Sequence, residues 1–188
     1  PLRPNRRETP TSRVKHSNLE AGYAGDMTDN GRMLGVIGGS GFYTFFGSDA
    51  RTINLDTPYG TPSAPITVGT VGEHEVAFLP RHGVEHEFSP HTVPYRANMW
   101  ALRALGVRRI FGPCAVGSLT RELGPGAVVV PDQLVDRTTA RNQTFMDRGA
   151  VHVGFADPYC PALRESSVAA ADDIVGGGTM VVIEGPRF

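Results

Sequence analysis

Short apolar runs that end on glycine or proline constrain this chain more than any other feature. Residues 33–37 are stopped by Gly38-Gly39 and residues 75–79 by Pro80, so both runs are too short for helices and are bounded by residues that break regular structure. Runs at 66–69, 109–111, 127–130 and 179–183 belong to the same class. Several are continuous rather than alternating, the pattern of strands covered on both faces. Between them, 91–105 places Val93, Ala97, Trp100, Ala101 and Ala104 on one helical stripe. Pro94 fits only in the first turn, and Gly106 stands where a C-terminal cap glycine belongs. A second helix is expected over 161–174, with Pro161 near its first position and Gly176-Gly177-Gly178 ending it. Strands alternating with helices predict an α/β layered fold.

The length of 188 residues suits one globular domain. Residues 1–32 are polar and lack periodicity, so they are expected to form a poorly ordered tail before a domain over 33–188. The net charge of −1 removes the electrostatic footprint of a polyanion binder, so no nucleic-acid partner is expected and any anion must be met locally. Lys15 stands alone among 18 basic side chains, the rest being arginine, which fits a codon bias better than a site. Cys114 and Cys160 lack CxxC spacing, which argues against a disulfide framework or a four-sulfur zinc site and for a reducing cytoplasm. No apolar stretch approaches the roughly 20 residues of a membrane helix, and no membrane partner is expected.

Three strand ends carry candidate chemistry. Gly38-Gly39-Ser40-Gly41 directly follows a strand, where freed backbone amides can converge on an anion. It does not continue as a dinucleotide fingerprint, because Thr44 occupies the third glycine position, and the chain has no Gly-Lys-Ser/Thr of a P-loop. Arg81-His82-Gly83 follows the run ending at Pro80 and offers a planar guanidinium fork and an imidazole. His82, His86 and His91 are weak metal candidates, since Gly83 and Pro90 oppose one regular helix. His86 is expected to be structural, or to support a neighbouring site residue, rather than to be a ligand, and no metal is expected. Gly112-Pro113-Cys114-Ala115-Val116-Gly117 follows a third run with residues small enough to let backbone approach a ligand. Cys114 is expected to be a buried apolar thiol rather than a nucleophile, and Ser118 fits neither a nucleophile elbow nor a Ser-x-x-Lys site. An oxyanion held by several loops without a metal points to an enzyme that uses inorganic phosphate or a phosphorylated small molecule.

The chain resembles the methylthioadenosine phosphorylases of the trimeric purine nucleoside phosphorylase family. The resemblance runs from Leu34 to Phe188 on ordered motifs: Ile37-Gly38-Gly39-Ser40-Gly41, Thr57-Pro58-Tyr59-Gly60 with Pro62-Ser63, Arg81-His82-Gly83, and Tyr95-Arg96-Ala97-Asn98-Met99-Trp100-Ala101-Leu102. Asp132-Gln133 with Asp136-Arg137-Thr138, Asp157-Pro158-Tyr159-Cys160-Pro161 and Glu184-Gly185-Pro186-Arg187-Phe188 complete the set.

The resemblance implies an α/β nucleoside phosphorylase-like three-layer fold, with a central mixed, partly barrel-like sheet flanked by helices. It implies a pentosyltransferase that cleaves 5'-methylthioadenosine with phosphate, serving purine and methionine salvage, with phosphate as co-substrate and no cofactor. Ser40, Arg81, His82, Cys114 and Ala115 would line the phosphate site. Cys114 stands where the family commonly has threonine, which removes a hydroxyl contact. Val116, Gly117 and Phe188 would meet the purine, and His152 would reach the 5' substituent from a neighbouring subunit of a homotrimer. The aspartate that protonates the departing purine in this family lies beyond the position of Phe188, so the domain is expected to be incomplete at its C-terminus and the 188-residue form to lack appreciable turnover. Alternatives are a 6-oxopurine nucleoside phosphorylase and a non-catalytic nucleoside-binding module.

Overall fold

The computed structural model describes residues 33–39, 46 and 49–184. The expected tail, Ser40 and Phe188 therefore lie outside the described residues. The element order is β1 (Leu34–Gly38), β2 (Arg51–Ile53), β3 (Ile66–Val71), β4 (His74–Pro80), α1 (Tyr95–Ala104), β5 (Arg109–Phe111), β6 (Val128–Val130), β7 (Gln133–Asp136), α2 (Pro161–Val168), β8 (Ile174–Gly176) and β9 (Thr179–Val182). The fold is α/β, as expected, and its largest sheet is mixed.

That sheet has the order β2-β3-β4-β1-β5. β2, β3 and β4 run antiparallel in sequence, whereas β4, β1 and β5 are parallel. A two-residue connection, Gly72-Glu73, closes the β3-β4 hairpin, and Gly72 takes a φ of 59° that a side chain would resist. β4 lies inside the sheet and is buried from Val76 through Pro80, which accounts for its unbroken apolar run. In β1 the buried positions are the glycines. A Cβ on Gly35 would stand 2.8 Å from Cγ1 of Val107 and 3.1 Å from Cγ1 of Ile110, so the missing side chain lets the segment after α1 pack directly on the strand. Met33, Ile66, Val68, Ala77, Leu79, Ala101, Leu102 and Val107 form the main core cluster.

α1 begins after Pro94 and ends in a glycine cap. Gly106 has a φ of 89°, its N–H donates to Arg103, and the N–H of Val107 donates to Leu102, the paired bonds of a Schellman motif. The buried face is Ala97, Asn98, Ala101 and Leu102. This rotates the expected stripe: Ala104 is exposed and Trp100 half-buried, because the sheet is met by a face that includes a polar residue, Asn98.

The second half corrects the sequence expectations further. α2 stops at Val168, well before 174, and residues 174–176 form β8. The glycines taken for a helix terminator are a kink. β6 pairs with β8 and β7 with β9, both parallel, and Pro131-Asp132 on one strand faces Gly177-Gly178 on the other. Bonds cross the kink from Gly177 N–H to the Val130 carbonyl at 2.9 Å and from Asp132 N–H to the Gly178 carbonyl at 3.0 Å, so the two ladders form one bent ribbon. The glycines at 177 and 178, with φ of 96° and 98°, permit the bend. Pro161 opens α2 as expected. No helix among the described residues is long and apolar enough to cross a membrane.

Candidate functional site

Because β4, β1 and β5 are adjacent and parallel, their C-terminal ends emerge at one edge of the sheet, the position at which open α/β sheets bind ligands. The three loops singled out in the sequence leave from there. Gly38 ends β1 and Gly39 follows it, Arg81-His82 follows β4 and Gly112 opens the segment after β5.

Arg81 ties these ends together. Its backbone N–H donates to the Gly38 carbonyl at 2.9 Å, extending the parallel ladder by one bond. Its Nη2 donates to the carbonyl of Ile37 at 3.2 Å and also to that of Pro113. One guanidinium thus joins β1 to the residue preceding Cys114. Among the described residues its Nη1 and Nε make no hydrogen bond, so a half-buried cation retains donors at the edge where the loops meet.

His82 is held by its own loop. Its Nδ1 lies 2.8 Å from the Phe88 carbonyl, and Phe88 N–H donates back to the His82 carbonyl at 3.0 Å. A carbonyl only accepts, so Nδ1 carries a proton. A neutral imidazole then presents Nε2 as an acceptor, and a protonated one presents it as a donor. His86 stacks on His82 with centroids 6.1 Å apart and planes 11° from parallel. Its φ of 59° is unusual for a residue with a side chain. No group of three or more His, Cys, Asp or Glu side chains among the described residues is arranged to hold a metal ion.

Cys114 differs from expectation. It is exposed rather than buried, as are Ala115, Val116 and Gly117, because the chain leaves β5 as an extended segment without packing under a described element. Burial pushes the Tyr159 phenol above its ordinary value. His152 is exposed, and among the described residues no hydrogen bond or ion pair joins it to Arg81, His82 or Cys114. The structure therefore gathers Arg81, His82 and the start of the Cys114 segment.

The end of β9, which leads toward Phe188, is pinned by Glu184. Its carboxylate accepts the backbone N–H of Thr139 at 2.9 Å and of Ala140 at 2.8 Å, and the Thr139 hydroxyl at 3.2 Å. Nε of Arg141 lies 3.4 Å away, and its guanidinium sits 4.5 Å above the Tyr95 ring at the start of α1. These bonds, the Thr139 and Ala140 amides foremost, hold Glu184 below the ordinary carboxylate value. Glu184 and the buried Ser63 and Asn98 all stand in the sequence motifs given above without an assigned task, although an Asn on the apolar face of a helix is a visible signal.

The chain is 75% identical over 156 residues to S-methyl-5'-thioadenosine phosphorylase of Mycolicibacterium smegmatis, covering 83% of this chain and 60% of that protein. It is 51% identical over 168 residues to a purine nucleoside phosphorylase of Streptomyces coelicolor, covering 82% and 60%. Among solved structures it resembles a methylthioadenosine phosphorylase from an antarctic soil metagenomic library, with TM-score 0.74 and 44% identity over 82% of this chain and 57% of that one. Methylthioadenosine phosphorylase from Schistosoma mansoni in complex with tubercidin gives TM-score 0.77 at 35% identity, over 83% and 64%. The chain spans about three fifths of the length of the curated relatives it matches. The family model of the phosphorylase superfamily matches residues 33–187, and since that span takes in every described strand and both described helices, the chain belongs to the phosphorylase superfamily.

Proposed function

We propose that this chain carries the phosphate site, and part of the nucleoside site, of a 5'-methylthioadenosine phosphorylase. The observation that carries the proposal is the convergence on Arg81: one half-buried guanidinium bonded to β1 and to the segment that follows the neighbouring parallel strand β5, beside His82 and the Cys114-Ala115 segment. Phosphate would sit among Arg81, His82, the Ala115 backbone and Ser40. Val116, Gly117 and Phe188 would line the purine side, and His152 would act on the 5' side of a neighbouring copy in a homotrimer. The likeness to S-methyl-5'-thioadenosine phosphorylases supports this choice of nucleoside.

Phosphorolysis breaks the bond from C1' to the purine nitrogen, sends the bonding electrons to the purine, and forms a bond from C1' to a phosphate oxygen. The ribosyl carbon becomes cationic as the bond lengthens, so a phosphate dianion fixed beside it stabilises the charge and then captures it. The purine takes up a proton as it leaves and hydrogen phosphate gives one up on becoming the sugar ester, so the proton count balances. The products would be adenine and 5-methylthioribose 1-phosphate, the chemistry of purine and methionine salvage, and the cysteine usage of the chain supports a cytoplasmic setting. Inorganic phosphate is a co-substrate and no cofactor is called for.

The test is calorimetric titration of the chain with inorganic phosphate, followed by methylthioadenosine or inosine. Wild type binds phosphate saturably and favours methylthioadenosine. Removal of charge-assisted bonds worth about 1.5–3 kcal/mol in Arg81→Ala weakens phosphate binding by about tenfold to a hundredfold. Unchanged phosphate binding in that variant removes Arg81 from the site, and preference for inosine moves the chain to the 6-oxopurine class.

A further inference from the structure

The motifs Pro62-Ser63 and Tyr95 to Leu102 remain without a task in the proposal above, and the structure joins them directly behind Arg81. In the β3-β4 ladder Thr67 faces Phe78, and continuing that register places Pro65 opposite Pro80. A proline has no N–H, so the sheet supplies no ladder donor for the Pro80 carbonyl on that side. The Ser63 hydroxyl takes the vacant role, donating to the Pro80 carbonyl at 2.6 Å, while the Gly83 N–H makes a longer turn bond of 3.4 Å to the same oxygen. The Ser63 N–H in turn donates to Oδ1 of Asn98 at 2.8 Å. Ser63 is 4% exposed and Asn98 2%, so neither bond competes with water.

The placement of Asn98 is informative. Asn is a weak helix former, and this one occupies the buried face of α1 between Ala97 and Ala101, where an aliphatic residue would pack without a polar obligation. The Ser63 hydroxyl bond and the Gly38 bond meet on one peptide: the Pro80 carbonyl belongs to the unit whose N–H is that of Arg81, and that N–H donates on the opposite side to the Gly38 carbonyl, while Asn98 holds Ser63 in place. The last peptide of β4 is thereby held from both sides, by β1 and by the brace from α1. We infer that Ser63 and Asn98 are positioning residues that hold the Pro80-Arg81 peptide, and through it fix where the Arg81 guanidinium and the His82 imidazole are presented. The consequence for phosphate rests on the function proposed above, whereas the consequence for the peptide does not.

The test uses the 188-residue chain as wild type, Ser63→Ala and Ser63→Thr, with Asn98→Leu as a second route that removes the acceptor at similar volume. Amide exchange is read residue by residue along β4, and inorganic phosphate is titrated into the same samples. In Ser63→Ala the amides of Arg81 and Gly83 exchange about tenfold faster, as expected for one buried bond, while residues 76–78 keep their rates. Ser63→Thr restores the pattern, Asn98→Leu reproduces it, and phosphate binding weakens in parallel. A uniform rise along β4, or no change at Arg81, makes Ser63 an ordinary core residue and overturns the inference. Equal phosphate affinity in wild type and Ser63→Ala overturns it as well. Failure of wild type to bind phosphate sinks the proposed function, and the exchange pattern still decides the brace.

Discussion

The two halves of the described fold are built from similar apolar runs and arrive at different states. From Met33 to Phe111 those runs become a five-stranded mixed sheet with a helix against it, and every buried apolar residue of the described chain lies in this stretch. From Val128 onward they become a bent two-stranded ribbon and a helix, α2, in which no residue is buried. Val153 is 78% exposed and Phe155 60%. Backbone hydrogen bonding is complete enough in both halves to define strands, but only the first surrounds its strands with side chains. Parallel pairs ordinarily need cover on both faces, and an isolated two-stranded unit is marginal in water. The comparison separates what specifies a strand from what stabilises it.

The largest expected effect breaks the comparison at its centre. Leu79 is fully buried in β4, and Leu79→Ala should destabilise the chain by about 2–5 kcal/mol through lost transfer energy and a residual cavity. Val129→Ala in β6, already 36% exposed, should stay below about 1 kcal/mol. Urea unfolding can report the two halves separately, because Trp100, the chain's one tryptophan, sits on α1, while far-UV circular dichroism sees both. The two probes should give non-coincident transitions, with the fluorescence midpoint higher. Coincident midpoints would show that the ribbon unfolds only with the sheet, and the contrast between the halves would collapse.

An intermediate effect is expected where the first half is packed most tightly. Gly35→Ala places a methyl against Val107 and Ile110 at the distances given above, and such overpacking should cost about 1–3 kcal/mol in the same urea experiment. An alanine at Gly124, whose Cβ meets nothing within 4 Å, should leave stability within about 0.5 kcal/mol of wild type. Equal costs at the two sites would mean that packing density does not distinguish the halves.

Much of the first half was legible in the sequence. Continuous runs bounded by Gly or Pro marked β1, β3, β4 and β5, and Gly106 marked the end of α1, because burial and chain breaking act on neighbouring residues and leave a local trace. β2 went unseen, since Arg51-Thr52-Ile53 carries no apolar run and becomes a strand only by pairing with β3. β7 and β8 were missed for a related reason. Gly176 to Gly178 reads equally as a helix stop and as a kink between strands, and only the partner with Pro131-Asp132 opposite decides it. In the site, Arg81 and His82 were legible because they directly follow a strand end. Ser63 and Asn98 were not, since their tasks depend on Pro65 meeting Pro80 across the sheet. The exposure of Cys114 was likewise invisible, as small residues signal close approach without saying what approaches.

The smallest effect concerns Glu184, which shows that the second half has a strong local bracket despite its lack of a core. The Thr139 and Ala140 amides, followed by the Thr139 hydroxyl and Arg141, favour the ionised carboxylate and depress its folded value below the ordinary one. For a depressed carboxylate, the stabilisation is present above the unfolded value and is lost as pH falls through the lower folded value. The amide proton resonances of Thr139 and Ala140 should therefore titrate together with a midpoint below the ordinary carboxylate range. Glu184→Gln should flatten both curves while leaving the amides of residues 76–78 in β4 unmoved. A midpoint at the ordinary value would mean that the bracket opens in solution, leaving the end of β9 as loosely held as the exposed valines around it. A depressed midpoint with an unmoved β4 would show that acid loosens the strand leading to Phe188 while the edge carrying Arg81 stays intact, because carboxylate bonds hold the first and buried apolar packing holds the second.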